Sequence, residues 1–248
     1  MRYAIGLPTV GPFGDARALL DLAVAAERHG WDGVHLWDHV LYHEPGWPVT
    51  SPTVVAAAIA AATTRVRILL TVAVPRRQVQ EVAQDTAAID ALSGRRLTLV
   101  ATLGSMDREY TEFGLDPGLR ARGREMDLRL DRLQDLWRSA GAPPVPIWCG
   151  AFWPRTAGLR RAARFDGAMP IFEDQRSAPV PVAGVEGCAA FVPGKDLALE
   201  GFTDGPADAD RLAPYATAGV TWWIEALGWW RGDLSAAAAR VAAGPPRR

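Results

Sequence analysis

Residues 67–102 read RILLTVAVPRRQVQEVAQDTAAIDALSGRRLTLVAT, and this stretch decides the fold. Its first eight residues are a mostly apolar run that Pro75 ends, which is typical of a buried strand. Residues 79–92 follow as a helical pattern, and residues 97–102 return to an apolar strand pattern. A strand, a helix and a second strand of these lengths predict one right-handed βαβ unit of a parallel sheet.

The same alternation extends in both directions along the chain. Further strands are predicted at residues 3–7, 33–37, 146–149, 167–171, 196–200 and 219–225. Further helices are predicted at residues 15–29, 52–62, 119–139, 155–164, 207–218 and 234–242. Eight alternating strands predict the α/β class and a (β/α)8 TIM barrel. An open doubly wound sheet is the alternative, but no G-x-G-x-x-G follows the first strand.

Two regions carry more specific expectations. The long helix at 119–139 is expected to bury one apolar stripe, formed by Leu128, Leu130, Leu133, Leu136 and Trp137. Residues 173–194 are rich in proline and glycine and have no helical period, so a shortened, irregular connection is expected between strands six and seven.

Composition limits the classes of function. The 248 residues match one TIM barrel of roughly 250, so residues 1–248 are expected to form a single domain. The net charge of −1 gives no global field that would attract nucleic acid or an anionic membrane. Lys195 is the only lysine, and it lies away from any glycine-rich loop, which disfavours Schiff-base and P-loop chemistry. The preference for arginine suggests a GC-rich bacterial genome.

The cysteines and the termini suggest an intracellular protein. Cys149 and Cys188 lack C-x-x-C spacing and are expected to be buried free thiols. The chain runs from Met1 directly into a strand, and no long apolar span is visible. We therefore expect a cytoplasmic protein with no membrane or nucleic-acid partner.

Asp38 and His39 follow the second predicted strand, and the loops after the strands build the site in a TIM barrel. An imidazole there can donate or accept a proton while the carboxylate fixes its tautomer. Equally, His39 can hydrogen-bond a loop that Asp38 caps. His35, His39 and His43 have a spacing that would suit a metal on a helix, but His35 lies in a strand, so no metal site is predicted.

Charged residues also follow the third and fourth strands. Arg76 can clamp a phosphate or a carboxylate, or it can be a solvated surface charge. Gly104 allows the backbone to approach a ligand closely, and Glu109 can act on that ligand or solvate the loop.

The end of strand five and the last strand offer two further features. The turn from Gly150 to Arg155 opens a helix, and its amides suit a phosphate. Because side chains alternate along a strand, one of Trp222 and Trp223 is expected to point inward. Aromatic packing is one explanation for this pair, and a stacking surface for a planar ring is the other.

Several stretches, in this order, resemble the luciferase-like monooxygenase superfamily. They are GWDGVHLWDH (30–39), AATTRVR (61–67), ALSGRRL (91–97), PVPIWCGAFWP (144–154), LRRAARFDG (159–167) and GVTWWIE (219–225). Glu109-Tyr110 with Phe113-Gly114 is similar to the family's loop after strand four. The exit of that strand differs from the family's glycine-rich pattern and keeps only Gly104.

The resemblance implies FMN or the deazaflavin F420 in the mouth of the barrel, without deciding between them. It implies His39, with Asp38, near the ring or the substrate, and Glu109 as a further proton carrier. It also implies a bulge at Thr71–Val72, often with a non-proline cis peptide. The expected cofactor-binding residues are Thr71, Val72, Arg76, Leu103, Gly104, Gly150, Ala151, Trp153 and Arg155. The expected substrate-pocket residues are Trp37, Trp222 and Trp223.

The function implied by the resemblance is an oxidoreductase or monooxygenase that acts on a small organic substrate. A flavin or F420 reductase and a second copy of the chain are candidate partners. Two alternatives stay open. One is a cofactor-free enzyme that uses His39, Asp38 and Glu109 for acid–base catalysis. The other is a non-catalytic partner subunit.

Overall fold

The computed structural model describes residues 1–247, in which eight parallel strands close into a barrel in sequence order. The strands are β1 Arg2–Leu7, β2 Gly33–Leu36, β3 Arg67–Ala73, β4 Leu97–Thr102, β5 Ile147–Phe152, β6 Gly167–Ile171, β7 Asp196–Gly201 and β8 Trp222–Ala226. Because β1 pairs with both β2 and β8, the sheet has no edge. The predicted (β/α)8 barrel is confirmed, and the open doubly wound sheet is excluded.

Helices cover the outside of the barrel. Those in residues 1–247 are α1 Ala16–Arg28, α2 Pro52–Ala62, α3 Val79–Leu92, α4 Arg108–Thr111, α5 Leu119–Ser139, α6 Ala157–Ala162, α7 Val182–Ala189, α8 Ala209–Thr217 and α9 Leu234–Ala242. Local sequence explains several of their starts, since Asp15, Ser51 and Asp233 each accept a hydrogen bond from a first-turn amide. No helix in the described part of the chain is long and apolar enough to cross a membrane.

The core has two layers, as strand alternation requires. The inside of the barrel is filled by Ala4, Leu69, Val100, Trp148, Met169, Ala198, Trp222 and Ile224. A larger apolar layer lies between the strands and the helices, and it includes the cysteines. Both thiols are buried and free, as predicted. Burial raises the pKa of each, to about 12, so neither is ionised near neutral pH.

The predicted stripe of α5 is partly wrong. Leu128 is 67% exposed, whereas Met126, Leu130, Leu133 and Trp137 are buried. The buried residues are spaced by four, three and four, which follows one face of a 3.6-residue period. Leu128 lies two residues from Met126, and this offset turns its side chain about 200° around the helix axis.

The connection between β6 and β7 is not irregular throughout, because it contains α7. Gly184 and Gly187 weaken the helical signal of this segment. The structure shows why they are there. A Cβ at Gly187 would lie 2.5 Å from Trp153 Cη2, and one at Gly184 would lie 2.8 Å from Phe172 Cε1. The two glycines therefore let α7 pack directly on these rings.

Candidate active site

The floor of the barrel mouth is a polar layer above the apolar interior. His35, Thr71 and Glu200 follow inward-facing core positions by two residues, so alternation turns them into the barrel. His35 Nε2 lies 2.7 Å from Thr71 Oγ1, and its Nδ1 lies 3.8 Å from Glu200 Oε2. His35 is 3% exposed and Glu200 is 5% exposed. The barrel thus buries two titratable groups side by side at the base of its mouth.

Burial controls the charge of both groups. It lowers the pKa of His35 to about 3, so this imidazole is neutral at ordinary pH. Burial also raises the pKa of Glu200, although the charge of Arg176 and hydrogen bonds from Trp37 and Gln175 oppose the shift. His35 and Glu200 were not predicted as site residues. The signal that could have found them is strand alternation, since His35 lies two residues before Trp37.

A buried chain of ion pairs ties together the loops after β2, β3 and β4. Arg76 Nη2 lies 3.0 Å from Asp38 Oδ1, and its Nη1 lies 2.6 Å from Glu109 Oε2. Asp38 also binds Arg77 Nη2 at 2.5 Å and accepts a hydrogen bond from the Ala73 amide. Asp38 and Glu109 have fully buried side chains, and that of Arg76 is 4% exposed. This arrangement connects residues that are 71 positions apart in the sequence.

In this ion-pair network, the charged partners of Glu109 and of Arg76 shift the pKa of each group toward its ionised form. Burial alone would raise the pKa of Glu109, but its hydrogen bond to His39, the charges of His39 and Arg76 and the Val40 amide together lower it. Burial likewise opposes the charge of Arg76, yet its two carboxylate partners raise its pKa. Arg76 was predicted to bind a phosphate or a carboxylate of a ligand. In the structure its two terminal nitrogens instead pair with the carboxylates of Asp38 and Glu109.

His39 lies at the rim of the mouth with its orientation set by Glu109. Its Nδ1 is 3.2 Å from Glu109 Oε1, and its side chain is 10% exposed. Because the lowered pKa keeps Glu109 ionised, Nδ1 donates to the carboxylate. In the neutral ring Nε2 is then the acceptor, and it makes no hydrogen bond to residues 1–247. Of the three predicted acid–base residues, only His39 has an unpaired side-chain atom that can exchange a proton at the mouth, since the Asp38 and Glu109 carboxylates are buried and paired.

Aromatic rings wall one side of the mouth. Trp37 stacks on Trp230 with ring centroids 5.7 Å apart, and the Arg176 guanidinium lies 4.9 Å from Trp37 and 4.7 Å from Trp230. Tyr42 lies edge-on to His39 at 5.1 Å and stacks on Trp47. The rings come from the loops after β2 and β8, and Arg176 comes from the loop after β6. Trp37, which is predicted to line a substrate pocket, lies in this wall, and Arg176, Trp47 and Trp230 were not predicted as site residues.

The other side of the mouth is an open strip across the ends of β3 to β6. Thr71, Thr102, Leu103, Gly104 and Gly150 are half-buried there, with the Leu103 side chain packed on the outer layer, and Phe152 and Ile171 are 41% and 43% exposed. Gly104 has a φ of +72°, which suits glycine, and a Cβ at Gly150 would lie 2.9 Å from Thr102 Cγ2. The strip therefore presents bare backbone between apolar side chains. We call these seven residues the open strip.

Arg155 lies at the edge of the open strip. Its guanidinium stacks over the Phe152 ring at 5.5 Å. The side chain is exposed and forms no ion pair with residues 1–247. An unpaired guanidinium beside an apolar strip is suited to a phosphate that belongs to a larger planar ligand.

Three residues predicted to contact the cofactor point the wrong way. Val72, Ala151 and Trp153 belong to, or pack against, the outer layer between strands and helices. Val72 and Ala151 each lie one step away from an inward-facing strand position, so only their backbone faces the mouth. The Trp153 ring instead fills the space that Gly187 leaves on α7.

The predicted bulge in β3 is also wrong. Thr71 and Val72 pair in regular register with β4, as do the residues on either side of them. The only cis peptide bond in residues 1–247 joins Trp153 and Pro154. A continuous ladder of hydrogen bonds leaves no extra residue for a bulge at this position.

Trp222 and Trp223 do not line the mouth. As predicted, one of them points inward, and this is Trp222. It lies at the start of β8, however, where it packs on Trp148 with ring centroids 5.8 Å apart, at the N-terminal end of the barrel. Trp223 faces outward and stacks on Tyr215. Their assignment to the substrate pocket is wrong, because both residues lie at the start of β8 and the mouth is at the ends of the strands.

No group of histidine, cysteine and acidic residues in the described part of the chain could hold a metal ion.

Comparisons with known proteins identify a family and a shared fold. A family model described as luciferase-like monooxygenase matches residues 3–189. Monooxygenase RslO1 from Streptomyces bottropensis has a similar structure, with a TM-score of 0.76, 17% identity and coverage of 98% of this chain and 97% of that one. Comparison with curated proteins finds no match.

Two F420-dependent enzymes are also similar in structure. An F420-dependent secondary alcohol dehydrogenase, solved with an F420-acetone adduct, has a TM-score of 0.74 and 15% identity, covering 91% of this chain and 92% of that one. The F420-dependent tetrahydromethanopterin reductase from Methanopyrus kandleri has a TM-score of 0.68 and 14% identity, covering 98% of each chain. At these identities the likeness establishes a shared fold.

Proposed function

The chain belongs to the luciferase-like monooxygenase family, and we propose that it is an oxidoreductase that holds FMN or F420 on its open strip. The observation that carries this proposal is the strip itself, a bare and apolar surface across the ends of β3 to β6. It lies on the C-terminal face, where TIM-barrel enzymes place their chemistry. Solved relatives of the fold that use F420 support the same choice of cofactor class.

The residues present fit such a cofactor. Gly104 and Gly150 carry no side chain, and a Cβ would lie 3.1 Å from the Tyr110 ring at Gly104 and 2.9 Å from Thr102 Cγ2 at Gly150, so the backbone is packed closely at these strand ends. Phe152 and Ile171 supply apolar contact, and Arg155 is available for the phosphate group. When bound, the cofactor supplies hydride transfer or, as reduced flavin, oxygen chemistry.

His39 is the residue proposed to hold or move a proton, at its Nε2. The carboxylate of Glu109 orients the ring and fixes its tautomer, while Arg76 and Asp38 hold Glu109 in place. This division of roles weakens the alternative of a cofactor-free enzyme, because Asp38 and Glu109 are buried and already paired. They act as positioning residues for His39 and not as free acids or bases.

The aromatic wall supports a small organic substrate. Trp37, Trp230 and Tyr42 offer flat apolar surfaces beside His39. Such a wall excludes water from a reacting centre and favours substrates with apolar or aromatic bodies. We further propose that a separate reductase supplies the reduced cofactor and that the chain forms a homodimer.

Titration of the purified protein with FMN and with F420, followed by fluorescence, tests the proposal. We expect one of them to bind with about micromolar affinity. Arg155→Leu should weaken that binding about tenfold, because it removes a charge-assisted contact to the phosphate. Arg160→Leu is the matched control, since Arg160 is an exposed arginine of α6, and it should bind as the parent does. Failure of both cofactors to bind, or an unaltered affinity in Arg155→Leu, would contradict the proposal.

A further inference from the structure

A cavity lies at the opposite end of the barrel from the open strip. It has a volume of about 730 Å³ and is lined by strand starts and by the loops that lead into them. Ligand sites in proteins commonly measure about 300–1,000 Å³. The N-terminal face of a TIM barrel normally serves stability, so a cavity of this size there needs its own explanation.

Two cations in this cavity have only neutral partners. Arg67 donates from Nε to Thr98 Oγ1 at 2.6 Å and from Nη2 to the Leu97 carbonyl at 3.1 Å. Its Nη1 makes no hydrogen bond to residues 1–247 and is not buried, so it is open to the cavity. Lys195, the one lysine of the chain, donates to the Phe165 carbonyl. Neither residue forms an ion pair within the described residues.

The carboxylates that line the cavity already have partners. Asp196 Oδ1 binds Arg2 Nη2 and accepts from Thr221 Oγ1, both at 2.8 Å. Asp166 Oδ2 accepts from the Ile147 amide at 2.8 Å. The lining therefore holds three cations (Arg2, Arg67 and Lys195) and two carboxylates (Asp166 and Asp196), which leaves one net positive charge. Burial and the neighbouring charge of Arg2 lower the pKa of Arg67, while the charges of Asp196, Asp90 and Asp166 oppose the shift.

The remaining walls of the cavity are apolar. Small parts of the Trp148 and Phe165 rings, which are 1% and 5% exposed, line the cavity together with Pro146, Val192 and Leu197. A site with a few convergent polar groups in an apolar cavity is the common form of a small-molecule site. The charge and the walls together favour a ligand with an anionic head and an apolar body.

We propose that this N-terminal cavity binds a small organic anion, with a carboxylate or phosphate group on Arg67 and Lys195 and an apolar body against Trp148 and Phe165. A guanidinium with a free Nη1 suits either oxyanion. The proposal is independent of the cofactor at the mouth, since no residue of the open strip lines this cavity.

Calorimetric titration with benzoate tests this site on the intact protein. Benzoate supplies a carboxylate and an aromatic body, and we expect it to bind with a dissociation constant of about 1 mM or below. Benzyl alcohol has the same body without the charge and should bind at least about tenfold more weakly. Inorganic phosphate distinguishes a head-group site from one that also needs the apolar body, because on this proposal it should bind more weakly than benzoate.

Variants locate the binding. Arg67→Leu should weaken benzoate binding about tenfold or more. Arg132→Leu removes an exposed arginine of α5 and should bind as the parent does. Lys195→Leu gives a second test if Arg67→Leu does not fold, and it should also weaken binding. Equal binding of benzoate and benzyl alcohol, unaltered affinity in both cavity variants, or the absence of benzoate binding at saturating concentrations would overturn the proposal without bearing on the cofactor at the mouth.

Discussion

Glu109, Arg76 and Asp38 form a buried network of ion pairs, in which each charged group has a partner of opposite charge. Removing one partner leaves an uncompensated charge in a site that water does not reach, which is strongly destabilising. These residues are therefore expected to stabilise the fold in addition to orienting His39. Surface ion pairs, by contrast, contribute little.

Glu109→Gln should lower the free energy of unfolding by about 3 kcal/mol, because Arg76 loses one of its two carboxylates. Urea denaturation at neutral pH measures this change. Glu112→Gln is the control, since Glu112 forms an exposed ion pair with Arg108. It should change stability by less than about 0.5 kcal/mol. Equal effects of the two substitutions would show that the buried chain does not stabilise the fold.

His35 predicts a pH dependence of stability. Its pKa falls from 6.5 to about 3 on folding, so the unfolded chain binds a proton there that the folded protein excludes. Stability from this residue is complete above pH 6.5 and is lost as the pH falls toward 3. Between pH 7 and pH 5 the loss is about 2 kcal/mol.

In His35→Gln this component should disappear, so that the free energy of unfolding falls less between pH 7 and pH 5 than in the parent. The raised pKa of Glu200 acts with the opposite sign, since its stability is lost as the pH rises above 4.5. Comparing the pH slopes of the parent and the variant isolates the histidine. Parallel slopes in urea denaturation would mean that His35 titrates in the folded protein as it does in the unfolded chain.

Among the single elements, α7 is stabilised by tertiary packing and not by the helix propensity of its residues. Gly187→Ala raises helix propensity but places a Cβ 2.5 Å from Trp153 Cη2. We expect a net destabilisation of about 1–3 kcal/mol from overpacking, measured by urea denaturation.

Gly123→Ala in α5 is the matched control for that prediction. The nearest atom to its new Cβ is Arg161 Nη2 at 3.7 Å, an ordinary contact. It should gain about 0.5–1 kcal/mol from helix propensity alone. A gain at both glycines would mean that Trp153 can move, and that its packing does not require Gly187.

Elements with a strong local pattern were predictable from the sequence. The unit of β3, α3 and β4 has nearly the bounds that its periodicity predicts, and α2, α5 and α9 match theirs. The sequence could not predict α7, because its glycines are explained only by a ring from a different part of the chain. It placed β8 three residues too early, since residues 219–221 form the turn that leads into the strand.

The site was predictable to a smaller extent, for the same physical reason. Sequence places Asp38, Arg76 and Glu109 after strands, but only the fold shows that they bind one another and leave His39 available. Arg176 and Trp230 reach the mouth from distant loops and have no local pattern. Trp222 was misplaced because alternation gives the face of a strand and not its end.

At the scale of the whole molecule, the barrel has two different ends. The C-terminal mouth combines the open strip, the aromatic wall and His39, while the N-terminal face carries the cavity around Arg67. A barrel interior packed with Trp148, Trp222, Leu69 and Met169 separates them. The two proposed sites can therefore be occupied and tested independently.

The proposed function requires a flavin or deazaflavin ring on the open strip. A crystal structure of the protein with FMN or F420 at saturating concentration tests it most directly. We expect ring density against Gly104 and Gly150, within reach of His39 Nε2, with the phosphate near Arg155. Ring density elsewhere, or a mouth without cofactor density at that concentration, would contradict it.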